Sequence, residues 1–391
     1  MSLGTLDSNR FRREAILVCN VSSDPQTYFA SLRMVFDRNI ESDASSWFTF
    51  DPATMLPTSH TAFRSIPPDD QAAFLAHEAT ADDVIRFVTV ARTKPHVDRL
   101  VDATGGKPEL STRYRDFLEP NEFAHELRVA FVRDGLSWGG VALLRRAEGP
   151  PFGNHEVKAL AGIVEFLGEG MRRALLTSKL AREEDGALAP GAIVLGPANR
   201  VDLVSPPAED WLTGLGVELG DAWSTVLPGD VYAIASHARR TGAGHFDSGP
   251  AVTVAAGGAG DKVVLHAALM EHEPQGPVAV MIEPVRPTRM ADEIVDAYRL
   301  SAEEADALGH VLRGLPPEAV EEHLAAALAK VGATGPDDLA ATVYAEHVAP
   351  KLAAGNPVGT DGWFEDLPPG VPGDAVADDE GDVGGEQPEA E

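Results

Sequence analysis

The chain has 391 residues, 44% of them apolar, and a formal net charge of −29. That length allows about two or three domains with cores of their own, and a lone cysteine, Cys19, excludes a disulfide framework or a cysteine-rich zinc site. A surface this acidic repels phosphates, so any nucleic-acid site has to be sought locally.

The first 13 residues, with the basic cluster Arg10, Arg12 and Arg13, lack the basic-then-apolar order of a secretory signal. No apolar run reaches the roughly 18 residues of a membrane span. A reducing cytoplasm is the setting these features imply. Residues 14–182 read as one α/β domain. A helix is predicted near Pro25–Phe36, then a strand over the aromatic, β-branched run SSWFTFDP, then helical segments between Asp69 and Phe117. HELRVAFV and SWGGVALLRR, separated by Arg133-Asp134-Gly135, predict a hairpin reversed by Asp-Gly. Asn154 to Arg182 reads as one long amphipathic helix, with Val157, Leu160, Val164, Leu167, Met171 and Ala174 at alternating spacings of three and four. Such a seam either lies on the domain's own sheet or forms a homodimer contact that also connects sensor to output.

Charge and Gly/Pro content mark Arg182–Gly191 as a linker. A smaller domain, 191–287, comes next: strands at AIVLG and VDLVS, helices at Pro206–Leu212 and Asp230–Thr241, and strands around Val252, Val263 and Val280. Beyond Ile294 the pattern is helical to about Leu352. Residues 353–391 are so rich in Pro, Gly, Asp and Glu that disorder is predicted for them.

LSAEEADALGHVLRGL, Leu300–Leu315, opens with Ser301 and Glu304 in capping-box spacing. It resembles the first helix of a LuxR-type DNA-binding domain, and HLAAALAKVGATGPDDLAATVYAEHVAPKL, His323–Leu352, resembles that family's recognition helix and the segment after it. FDPATMLPTS, ARTKPHVDRLVDATGG and SWGGVALLRR resemble the GAF-like sensors joined to such output domains, and the order of two strands, helices and three strands in 191–287 is PAS-like. The resemblance implies an α+β protein: a GAF-like α/β sensor, a smaller PAS-like α+β domain and an all-α helix-turn-helix remnant at 291–352. It implies a signal-sensing transcriptional regulator, not an enzyme, with a small-molecule ligand, a homodimeric state, DNA as target and no cofactor.

The remnant departs from its family. Only Pro316–Glu322 separate the two matched blocks; PPEAVEEHL matches either the support helix, with Val320 and Leu324 as core positions, or the front of the recognition helix, with His323 in the family's His position, so one helix stands where two are required. From Leu300 to Leu352, three bases stand against nine acids, a net −6. The DNA-contacting residues carried over are Arg313, His323 and Lys330. A second functional class therefore stands beside the first: a GAF/PAS signalling or dimerisation partner that does not bind DNA and modulates intact regulators. The ligand-pocket candidates are the aromatics Trp47, Phe87, Tyr114 and Trp138.

Other patterns carry less. Gly135-Leu136-Ser137-Trp138-Gly139 has hydrolase nucleophile spacing but falls in the hairpin, not at a strand-turn-helix. AAGGAGDK, Ala255–Lys262, lacks the phosphate-loop spacing and reads as a hairpin loop. The histidines are scattered, His237 and His245 eight apart and His266 and His272 six apart, so no metal site is expected. Cys19, inside AILVCNVS, reads as a buried small hydrophobe.

Overall fold

The structure, a computed structural model, describes residues 6–21, 24–63, 83–180, 190–215, 217, 226–245, 249–256, 262–271, 273, 275–284, 290–359 and 361–366. The linker after Leu180, the loop 257–261 and the tail from 367 lie outside the described residues. Two helices open the chain, each started by an aspartate. In α1 (Ser8–Cys19) Asp7 accepts from the amides of Asn9 and Arg10, and in α2 (Pro25–Asn39) Asp24 accepts from Gln26 and Thr27 with Pro25 in the first turn. These caps satisfy donors that a helix start otherwise leaves open.

The first sheet holds β1 (Ala44–Phe50), β2 (Pro57–Phe63), β3 (Val97–Arg99), β4 (Phe123–Arg133) and β5 (Leu136–Arg146), in the order β2-β1-β5-β4-β3 and antiparallel throughout. The predicted hairpin is β4–β5. Asp134 (φ 52°) and Gly135 (φ 78°) make its turn, left-handed at both positions as a two-residue hairpin turn requires. Trp47 and Phe48 are fully buried on opposite faces of β1. Trp47 packs edge-on against Phe36 of α2 at 5.2 Å, whereas Phe48 meets Phe87 of α3 (Phe87–Arg92) at 5.1 Å.

The helix expected over Asn154–Arg182 is two helices, α5 (Asn154–Ala161) and α6 (Val164–Leu180), parted at Gly162, the poorest helix former short of proline. The apolar seam turns inward. Leu160, Val164, Leu167, Met171 and Ala174 are all buried, and α6 lies on β4 and against α1 and α2. Its apolar positions are thus taken up inside the chain, the first of the two readings of this seam.

The second sheet comprises β6 (Gly191–Leu195), β7 (Val201–Val204), β8 (Val252–Ala256), β9 (Lys262–Leu269) and β10 (Val278–Pro284), in the order β7-β6-β10-β9-β8. Both sheets thus run second-first-fifth-fourth-third. Between β7 and β8 stand α7 (Pro206–Gly214), capped by Ser205, and α8 (Gly229–Gly242). Two strands, helices and three strands succeed one another as the sequence indicated.

The C-terminal helices are α9 (Asp292–Tyr298), α10 (Ala302–Leu312), α11 (Glu321–Val331), α12 (Pro336–Val343) and α13 (Ala349–Ala354). The capping box is formed: Ser301 Oγ accepts from the Glu304 amide at 3.2 Å, and Glu304 Oε2 accepts from the Ser301 amide at 2.7 Å. Between α10 and α11 there is only a 3-10 turn, Pro317–Ala319. Leu308, Leu312, Leu324, Ala327 and Val331 belong to the same apolar core as the first sheet. Gly309 and Gly314 mark the approach, the first beside the Ala53 carbonyl and the second beside Val88 and Arg92 of α3. The described part of the predicted disordered tail is folded. Val358 bridges Phe364, and Trp363 and Phe364 are buried in that core, with Gly362 against Pro52 and the Phe50 carbonyl. Two adjacent aromatics offset the polar composition that suggested disorder.

The close seating of α6 on β4 depends on Gly168. A Cβ there would stand 2.8 Å from the Val132 carbonyl carbon and 3.0 Å from the Arg133 nitrogen. Gly168→Ala should therefore destabilise the protein by about 1–3 kcal/mol, although alanine is the better helix former by about 0.5–1 kcal/mol. Urea denaturation measures this, and a variant as stable as the wild type would show that the helix does not sit that close.

Candidate functional site

A cleft of about 250 Å³ opens beside the β3 edge of the first sheet. Leu100 and Val101 of α4 (Leu100–Ala103), Pro108, Tyr114 and Phe152 line it together with Arg99 and, from β4, His125 and Glu126. Two anchors position these groups. Asp83 accepts from Ser111 Oγ at 2.9 Å and from the Arg113 amide at 2.7 Å, which sets the chain leading into Tyr114. Arg99 ties the two sides together, donating to the Phe152 carbonyl at 2.7 Å, to Asn154 Oδ1 at 2.8 Å and to Asp102 at 2.7 Å.

Behind the cleft lies a buried ionic group. Glu126 Oε1 accepts from Arg113 Nε and from Arg128 Nε, each at 3.1 Å, and all three side chains are at most 1% exposed. Arg128 also lies over the Phe87 ring at 4.9 Å. Burial, with Arg113 nearby, pushes the His60 imidazole down to about 4. The other oxygen of Glu126, Oε2, is buried and has no hydrogen-bond partner among the described residues.

Of the aromatics expected to line a pocket, Tyr114 does so. Trp47 is in the core under α2, with its Nε1 donating to Ser45 Oγ at 3.0 Å. Phe87 fills the opposite face of the sheet, over Gly140, where an added Cβ would lie 2.6 Å from its ring. Trp138 packs under the Arg172 guanidinium at 5.4 Å. The residues that sequence reasoning missed are Arg113, Glu126 and Arg128. HELRVAFV carries a signal for two of them: opposite charges two apart share a strand face, here within an otherwise apolar run.

A second polar cluster lies where the two sheets meet. His266 of β9 is enclosed, its Nδ1 2.6 Å from Glu169 Oε1 of α6 and its Nε2 2.7 Å from Glu283 Oε1 of β10. Arg172 of α6 pairs with Glu283, Arg173 donates to the Ala267 carbonyl at 3.2 Å, and Arg133 of β4 stands 3.9 Å from Glu169 Oε2. Carboxylates only accept, so an imidazole between two of them must donate from both nitrogens and carry a positive charge. Burial opposes that charge, but Glu169 outweighs it, and His266 is raised above the ordinary histidine value. Burial likewise opposes ionisation of Glu169, yet His266 and the two arginines hold it down to about 2. Glu283 is lowered for the same reason against the same opposition. The joint is completed by the Leu269 amide donating to the Asn20 carbonyl at 2.6 Å and by Leu176 packing on Ala268 and Met281.

The three carried-over DNA-contacting residues do not form a basic face. Lys330 is held by Glu304 at 2.5 Å and the Arg299 carbonyl at 2.9 Å. Arg313 and His323 are half-buried, and the outward side of α11 shows Glu321, Glu322, Ala325 and Ala329. Ser137 is buried in β5 and donates to the Gly139 carbonyl at 3.1 Å, which is not an exposed nucleophile. Cys19 is buried 3.2 Å from the Tyr28 hydroxyl, and burial raises its thiol to about 12. Among the described residues no helix is long and apolar enough to cross a membrane.

No family model matches the chain, and no curated protein does. Solved structures with partial likeness include a GAF domain/HD domain protein from Geobacter sulfurreducens, with 16% identity over 40% of this chain and 95% of that one, TM-score 0.30. The E. coli DhaR(N)–DhaL complex overlaps 71% of this chain and 88% of its own at 13% identity, TM-score 0.25. The bacteriophytochrome RpBphP3 from R. palustris overlaps 72% and 62% at 13% identity, TM-score 0.26. At TM-scores this low, no ligand, partner or activity of those proteins carries over.

The joint between the sheets should respond to pH in a defined direction. A raised histidine stabilises the fold fully below its unfolded value, about 6.5, and loses that contribution as pH climbs through the folded value. The lowered carboxylates contribute above about 4.3 and lose it as pH falls. His266→Gln should therefore cost about 3–5 kcal/mol near pH 6, and its deficit against wild type should shrink toward pH 9. Paired thermal melts across pH 6–9 measure the gap, and a constant gap would show that His266 is neutral in the fold.

Proposed function

We propose that the chain is a sensory regulator of LuxR-like descent that works through protein contacts and not through DNA. The first sheet with its helices serves as the GAF-like sensor, with the cleft beside β3 as its small-molecule site. The second sheet is the PAS-like unit, joined to α6 by the His266 cluster. The observation that carries this reading is the state of the C-terminal helices. Their apolar faces are built into the sensor's own core, and the outward side of the helix that would read DNA is acidic and alanine-rich.

Phosphate contacts supply most non-specific affinity for DNA. With Lys330 engaged by Glu304, a duplex brought to α11 meets Glu321 and Glu322 first. The 3-10 turn before α11 leaves no support helix to stand across the backbone. A change at the cleft has a short path to these helices. The Glu126 group touches Phe87 of α3 through Arg128, and α3 lies against Gly314 at the end of α10. This route replaces the connection expected through α6, because α3 and α6 lie on opposite faces of the sheet. What passes along it is a shift between two packings of the C-terminal helices, driven by whatever free energy the ligand gains in one of them.

Fluorescence anisotropy of labelled duplex DNA, titrated with protein at low ionic strength, tests the proposal. The expected result is no binding at any sequence, because repulsion is strongest where salt is lowest. Binding that is tight and sequence-dependent would establish the transcription-factor reading in its place.

A further inference from the structure

We propose that the joint between the two sheets is a proton-controlled latch. With His266 protonated the second sheet is held to α6; with His266 neutral it lets go, and both sheets stay folded. Deprotonation thus opens one contact and spares the fold.

The two cores are built separately. Ile193, Leu265, Val280 and Ile282 pack with Leu212 of α7 and Val231 of α8 in a core that holds no residue of the first sheet. The apolar cluster shared by α6 and the second sheet is only Leu176, Ala268 and Met281. Units of one chain move relative to each other unless their interface is large and hydrophobic. This interface is neither. It also leaves polar atoms dry: Asn20 is fully buried, its carbonyl accepts from Leu269, and neither atom of its side-chain amide has a hydrogen-bond partner among the described residues. Arg173 Nε and Glu169 Oε2 are in the same position. Opening the joint gives these atoms water, which offsets part of its cost.

What holds the joint is therefore the ion cluster, and its geometry depends on one proton. The imidazole nitrogens stand 2.6 Å from Glu169 Oε1 and 2.7 Å from Glu283 Oε1. A neutral imidazole donates from one nitrogen only, so the other turns a lone pair on a carboxylate oxygen, acceptor against acceptor. The charged groups around it are Arg172 and Arg173 of α6 and Arg133 of β4, which has Asp134 and Glu165 beside it; Val252, opposite His266 on β8, carries no charge. Guanidinium groups stay charged in folded proteins. Nearby, burial raises the Cys19 thiol to about 12 and lifts the Tyr28 phenol well above its ordinary value. His266 is the member of this set that changes charge in mild alkali.

Energy transfer between two dyes on the full chain tests the latch. Met34→Cys on α2 and Leu203→Cys on β7 place them at exposed positions, one on each unit, while the buried Cys19 stays unlabelled. Transfer efficiency should fall in one reversible step between pH 6 and 9, with its midpoint above the ordinary histidine value of about 6.5, and circular dichroism should stay constant through the step. His266→Gln should show the open level at every pH and no step. Because that variant disturbs a buried cluster, Glu283→Gln is the second; Glu283 is the less buried of the two carboxylates. Losing that opposite charge should lower the midpoint by about one pH unit or more. Constant transfer up to pH 9, or a fall that coincides with loss of the circular dichroism signal, would overturn the latch. A step that persists in His266→Gln, or an unmoved midpoint in Glu283→Gln, would overturn His266 as its trigger.

Discussion

Helix α6 is a wall shared by two sheets, and the rest of the molecule is arranged around that constraint. On one side Leu167 and Met171 are fully buried against the first sheet, and Gly168 lets the helix approach the backbone of β4. On the other, Glu169, Arg172 and Arg173 meet His266, Glu283 and the Ala267 carbonyl of the second sheet. A helix pinned from two sides cannot slide without breaking either apolar packing or a buried ion cluster. Losing one member of such a cluster leaves the others charged and dry, which is the costly outcome. The two sheets are thereby coupled through one element.

The opposite face of the first sheet is used differently. Phe48 and Phe50 stack there with Phe87 tilted against both, Arg128 covers Phe87, and the C-terminal helices close over the Asp51–Leu56 segment and α3. The C-terminal helices are thus part of the packing of the first sheet. Its apolar positions are spent on that contact, and its remaining surface is acidic. The same fact explains why Trp363 and Phe364, beyond the last helix, are ordered: they finish the seal at Pro52 and Phe50.

Much of this was legible in the residues. The runs HELRVAFV and SWGGVALLRR around Asp134-Gly135 gave the β4–β5 hairpin, Ser301 with Glu304 gave the start of α10, and the seven-residue spacer showed that no full helix separates α10 from the segment beginning at His323. The apolar seam of 157–174 was also visible, but amphipathic periodicity states that a face is buried and not what buries it. A domain's own sheet and a second copy of the chain call for the same residues. The pocket residues were the least legible, because cores and pockets are lined by the same aromatic side chains. Trp47 and Phe87 proved to be packing. The informative signals were charges in apolar runs: Glu126 and Arg128 in β4, Glu169 and Arg173 in α6, and His266 in VVLHAAL. Glu126 and Arg128 pair with each other, but Arg113 beside them and the partners of Glu169, Arg173 and His266 are distant in sequence, and one sequence does not name them.

The central claim is that the C-terminal helices and the first sheet fold as one unit. Native-state hydrogen exchange tests it most directly, since amides in one cooperative unit open together at the same free energy. The account requires the core amides of α10 and α11, such as those of Leu308 and Ala327, to exchange with the same opening free energy as those of Val129 and Val141 in the β4–β5 hairpin. Exchange in α10 and α11 several orders of magnitude faster, with β4 and β5 still protected, would contradict it and make the C-terminal helices a separate, detachable unit.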